Sequence, residues 1–96
     1  MDRKELLERV YRRIRAEGLD WSRAEVRAAF ETFLEIVEET LVSGETVGLP
    51  GLGTFEVREA PPRKAYDFQK KEVIEIPARR KVFFRPSRKL KGLLRD

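Results

Sequence analysis

The sequence predicts an α+β fold: a two-helix base, a three-stranded antiparallel sheet carrying a long β-arm, and a short C-terminal helix. Three observations predict it. Apolar residues recur at helical spacing between Leu6 and Val42, with a single glycine break at Gly18. Between Glu45 and Arg85 the pattern changes to short alternating runs punctuated by Gly and Pro. A Pro86-Ser87 pair then opens a last amphipathic segment. Ninety-six residues make one small domain, 1–96, whose core is thin for its surface. It divides into a helical dimerisation base (1–44), a sheet (45–86) with its arm at about 58–79, and a closing helix (87–95).

The first helix starts at Asp2, with Glu5 three residues on, a pattern resembling a capping box. Leu6, Leu7, Val10, Tyr11 and Ile14 form its apolar stripe, and Gly18 is placed to stop it. Ser22 and Glu25 form a cleaner box, with Trp21 and Val26 at the positions of a hydrophobic staple. The second helix is expected from Arg23 to Val42, with Gly44 just past its end. Its apolar residues, including Phe30, Phe33, Leu34, Val37 and Leu41, cover an arc of about 160°, wider than the ~100° stripe that one packed surface requires. The first helix covers only part of that arc, and a second copy of the chain is the simplest cover for the rest. These five residues, with Phe55 and Phe84 from the sheet, are the expected dimer core.

Beyond Gly44, Glu45 to Leu49 reads as a short strand and Pro50-Gly51-Leu52-Gly53 as a tight turn. Thr54 to Arg58 alternates apolar and polar, and Pro61-Pro62 stops regular pairing or confines it to an edge. Val73 to Pro77 and Lys81 to Arg85 resume the strand pattern, and Ser87 caps a final helix with Leu90, Leu93 and Leu94 on its inner face. The section between Arg58 and Arg79 is a hairpin with almost no core-forming content. Legs of about ten residues would project on the order of 30 Å. A bare ribbon of that length is not independently stable, which suggests ordering on a ligand.

Charge is lopsided along the chain. Residues 58–91 hold twelve Lys/Arg against four Asp/Glu, a net +8, whereas residues 1–57 hold eight against twelve, a net −4. That split points to a polyanion on one side of the molecule. Cysteine and histidine are absent, which excludes disulfides, thiolate metal sites and the commonest general base. No cofactor or metal is expected. Glu56, Glu59, Glu72 and Glu75 read as ion-pair partners, because carboxylates on an exposed ribbon lack the burial that tunes a general acid. No apolar run approaches the ~18 residues of a membrane span and no signal sequence opens the chain, so it reads as soluble and cytoplasmic, and not as an enzyme.

At its motifs the sequence resembles the HU / integration host factor family of bacterial DNA-bending proteins. DRKELLERV is similar to the family's opening helix, GETVGLPGLGTFEVRE to its strand–turn–strand signature, RKAYDFQKKEVIEIPA to its arm, and FFRPSRKLK to its closing strand and helix. The resemblance covers most of the chain. It implies an intertwined homodimer or heterodimer whose two β-arms enter the minor groove of double-stranded DNA, and a nucleoid-associated location. The family is itself a standing example of minor-groove binding with wedge side chains.

Carried over position by position, the resemblance makes Arg58, Arg63 and Lys64 basic arm residues. Arg80, Arg85, Arg88 and Lys91 become basic residues of the return strand and last helix. Tyr66, Lys70, Lys71, Arg79 and Lys81 complete the expected DNA-binding set, and Gly51 and Gly53 match the turn glycines. The family's arm tip, Arg-Asn-Pro-x-Thr-Gly, is replaced by Tyr66-Asp67-Phe68-Gln69-Lys70-Lys71. Phe68 takes the proline's place as the expected intercalating residue, the tip glycine is lost, and Asp67 adds a negative charge close to where phosphates would lie. Two functional classes follow: an architectural DNA-bending dimer of low sequence specificity, or a protein-interaction dimer of the same fold whose arm has lost its bending action.

Overall fold

The structure, a computed structural model, describes residues 1–95. Helix α1 runs Arg3–Ala16 and α2 Arg23–Val42, followed by strands β1 (Val47–Leu49), β2 (Gly53–Ala60), β3 (Arg63–Asp67), β4 (Glu72–Ile76) and β5 (Arg79–Pro86), and helix α3 (Arg88–Leu93). Internal contacts divide the chain into two units, residues 1–39 and 40–96.

In the first unit, Asp2 caps α1 by accepting from the Glu5 amide at 2.8 Å, while Glu5 turns to Arg9 at 3.1 Å. The box at α2 is complete: Ser22 Oγ accepts from the Glu25 amide and Glu25 Oε1 from the Ser22 amide, both at 3.0 Å. Hydrogen bonding of Ser22 to the carboxylate, from its amide first and its side chain second, holds Glu25 below the usual carboxylate range. Arg23 ties the helices together. It pairs with Glu8 and lies 4.2 Å over the Tyr11 ring, and Arg3 meets Glu31 at 3.1 Å. The Arg23 bond, with Arg12 adding to it, pulls the Glu8 carboxyl down. Val26, the expected staple residue, is the one buried apolar side chain among the described residues, at 2 % exposure.

In the second unit, β2 is the central strand of an antiparallel sheet ordered β1-β2-β5. β1 starts two residues later than the sequence suggests. After Gly44, at φ +90°, the Glu45 amide bonds back to the Thr40 carbonyl at 3.1 Å, so this donor closes the helix instead of joining the ladder. Pairing of β2 with β5 runs in unbroken register from Gly53↔Pro86 to Ala60↔Arg79. It then stops where Pro61-Pro62 faces Pro77-Ala78, and resumes as a separate two-stranded ribbon from Arg63↔Ile76 to Asp67↔Glu72. Prolines lack the N–H a ladder needs, which accounts for the gap.

The two turn glycines have different tasks. Gly51 sits at φ +79°, and a Cβ there would touch only the flexible end of Lys89. At Gly53 a Cβ would lie 2.5 Å from the Arg85 carbonyl oxygen and 2.6 Å from the Phe84 ring, so the close approach of β5 itself requires glycine. Ser87 ties the turn to α3: its amide donates to the Leu52 carbonyl, its hydroxyl donates to the Gly51 carbonyl, and the same oxygen caps the helix at the Leu90 amide.

Candidate nucleic-acid interface

Strand alternation sorts the basic residues of β2 and β5 into two sets. Arg58, Arg79, Lys81 and Arg85 share one face with Glu56 and Phe83, whereas Arg80 lies opposite, among Phe55, Val57, Val82 and Phe84. On the first face the Arg58 guanidinium lies 4.6 Å above the Phe83 ring and bonds Glu56 at 3.0 Å. Glu56 also pairs with Arg85, so one mostly buried carboxylate bridges two of the expected DNA-binding arginines. The sequence reading of Glu56 as an ion-pair partner is realised in this bridge.

Arg80 behaves differently. Its Nη2 donates to the carbonyls of Leu41 at 3.1 Å and Val42 at 2.7 Å at the C-terminal end of α2, where the Leu41 carbonyl also accepts from the Gly44 amide. This structure therefore uses Arg80 as a helix cap. Its signal in the sequence is parity: it is the even-numbered member of a basic run whose even positions, 82 and 84, are apolar.

The ribbon of β3 and β4 brings Lys64 and Tyr66 to one face and Arg63 to the other, all exposed. At the tip, Phe68 is 82 % exposed and meets Tyr66 edge-to-face, with ring centroids 5.0 Å apart and planes at 78°. Asp67 Oδ1 accepts from the Gln69 amide at 2.9 Å and the Lys70 amide at 3.2 Å, an Asx turn that orders the loop. Lys71 adopts φ +56° and so occupies the left-handed position that a glycine would fill more easily. The turn forms without its glycine, and Asp67 acts as its organiser. Lys70 and Lys71 project as free-standing exposed side chains, as do Arg88 and Lys91 of α3.

The expected dimer core is largely uncovered in the single chain. Phe33 is 49 % and Phe84 42 % exposed, Leu34 is exposed, and Phe30, Val37, Leu41 and Phe55 are only half-buried, although Phe55 and Phe84 meet at 4.9 Å. Among the described residues no group of His, Cys, Asp and Glu could hold a metal ion, and no helix is long and apolar enough to cross a membrane.

The sequence profile of the family described as bacterial DNA-binding protein matches residues 1–95. Among similar curated proteins, DNA-binding protein HU of Thermotoga maritima is 38% identical over 91 residues, covering 95% of this chain and 96% of that one. Integration host factor subunit alpha of Bordetella avium is 38% identical over 92 residues, 96% of this chain and 75% of its own. A cocrystal structure of Anabaena HU with DNA superposes with a TM-score of 0.81 at 30% identity, covering 98% of this chain and 97% of that one. A basic two-stranded arm with an aromatic tip, a glycine-hinged turn and a match along both units lead to one assignment. This chain belongs to the family of bacterial DNA-binding proteins that includes HU and integration host factor.

Proposed function

We propose that this protein is an architectural DNA-binding dimer that grips duplex DNA through its minor groove with paired β-arms and bends or compacts it with low sequence specificity. The observation that carries this reading is the ribbon itself: basic legs with Phe68 held outward, 82 % exposed, at a tip ordered by Asp67. Arg63, Lys64, Lys70 and Lys71 supply phosphate contacts along the arm, and Arg79, Lys81, Arg88 and Lys91 supply them at its base. Arg58 and Arg85 contribute once phosphate competes with Glu56. Phe68 is the wedge that enters a base step. Specificity is low because minor-groove hydrogen-bonding patterns are degenerate.

Residues 1–96 act as one DNA-binding domain, which the family match through both units supports. Its partner is a second chain, identical or paralogous, that covers Phe33, Leu34 and Phe84. The role is structural and not catalytic, and it places the protein on the nucleoid in the cytoplasm. The test is binding to linear, nicked and prebent duplexes at two salt concentrations. A bender prefers the predeformed DNA. Neutralising about 6–10 phosphates makes log K fall with log salt at about −0.9 per phosphate. Equal affinity for all three duplexes, or a flat salt response, would favour the protein-interaction dimer instead.

A further inference from the structure

We propose that Tyr66 is a positioning residue for DNA bending, a prop that sets the attitude of the Phe68 ring before it meets a base step. The inference rests on the reading of Phe68 as the wedge and adds to it a role for the neighbouring ring. Tyr66 is the penultimate residue of β3 and Phe68 the first residue of the turn that follows, and their rings meet at the end of the ribbon. Tyr66 is anchored in the ladder opposite Val73, one pair before the last, whereas Phe68 lies beyond the final pair, Asp67↔Glu72. Without a neighbour, a tip phenylalanine is free to swing among its rotamers or lie back on the ribbon.

Here its backbone is held by the Asp67 turn and its ring by the Tyr66 contact at 5.0 Å and 78°. An edge-to-face contact leaves much of the ring surface uncovered, consistent with Phe68 remaining 82 % exposed. A pair of this kind biases orientation on the order of two- to tenfold. Less orientational freedom then has to be lost when the ring inserts. The tyrosine hydroxyl has no part in the contact, which makes Tyr66→Phe the rescuing substitution.

The experiment measures the DNA end-to-end distance by energy transfer, together with affinity, for the wild-type protein, Tyr66→Ala, Tyr66→Phe, Phe68→Ala and the double alanine variant. The expected result is a two- to tenfold smaller bent population in Tyr66→Ala, with the salt slope unchanged because no charge is removed, and wild-type bending in Tyr66→Phe. The double variant should bend no less than Phe68→Ala alone, because a prop has no work without its wedge. Full bending by Tyr66→Ala overturns the proposal. So does a further loss in the double variant, which would mean that Tyr66 acts on DNA by itself. If Phe68→Ala bends like wild type, the wedge reading falls and the prop falls with it. Both side chains are exposed, and the circular dichroism of each variant verifies that the fold persists.

Discussion

Arg79, Arg80 and Lys81 are consecutive and carry the same charge, yet only Arg80 turns to the apolar side of β5 and donates to the last carbonyls of α2. Charge counts cannot separate such neighbours; strand parity can. Arg80→Ala is expected to lower stability by about 1 kcal/mol, the scale of a charged group bonding helix-end carbonyls. Arg79→Ala should change it by less than about 0.5 kcal/mol. Urea unfolding of the two variants side by side decides this, and equal losses would deny the cap any weight. At the arm tip, Lys71 holds a left-handed conformation that costs a side-chain-bearing residue about 1 kcal/mol. Lys71→Gly should therefore steady the turn and slow hydrogen exchange of the Gln69 and Lys70 amides about fivefold. Unchanged exchange would mean that Asp67 alone sets the turn.

The elements themselves were largely legible in the sequence, because Gly and Pro act locally. Gly18, Gly44 and the Pro61-Pro62 pair end α1, α2 and the β2–β5 ladder where their backbone chemistry requires. Less legible was what depends on register and rotamer: the Glu56 bridge to Arg58 and Arg85, the Tyr66–Phe68 pair, and the two residues by which β1 is shortened. The helical pair carries its own pH dependence. Glu8 and Glu25 have folded-state values below the ordinary carboxylate, so they bind fewer protons folded than unfolded. Their stabilisation is complete above the unfolded value of about 4.3 and is lost as pH falls through the lowered folded value. The urea midpoint of the wild type should thus drop more steeply on acidification than that of Glu8→Gln, which has no proton to take up there. Parallel curves would assign acid sensitivity to other carboxylates.

For the whole molecule the decisive quantity is how little the single chain buries. With Val26 as its one buried apolar side chain among the described residues, and Phe33, Leu34 and Phe84 open, it has no core able to offset the entropy of ordering about a hundred residues. In the proposed dimer, stability comes with association. Thermal unfolding followed by circular dichroism should shift upward with protein concentration, each tenfold step adding about 1.4 kcal/mol per dimer. Phe33→Asp should abolish the folded state at micromolar concentration by placing a charge in that interface. A melting temperature independent of concentration would contradict the dimer. The excess apolar arc of α2 points to the same missing cover at the level of sequence.

The paired proline break has a mechanical consequence. Beyond it, β3 and β4 keep their own ladder, so the outer arm would turn as one lever about the interruption in strand pairing. Five residues of strand make that lever about 17 Å long. A rotation of roughly 10° then carries Phe68 about 3 Å, close to the ~3.4 Å that separates successive base pairs. Under the proposed wedge role, the joint would give a tolerance of about one base step in where each kink falls, so that the two arms of the proposed dimer would accept sites of slightly different spacing without any change in the body that carries them.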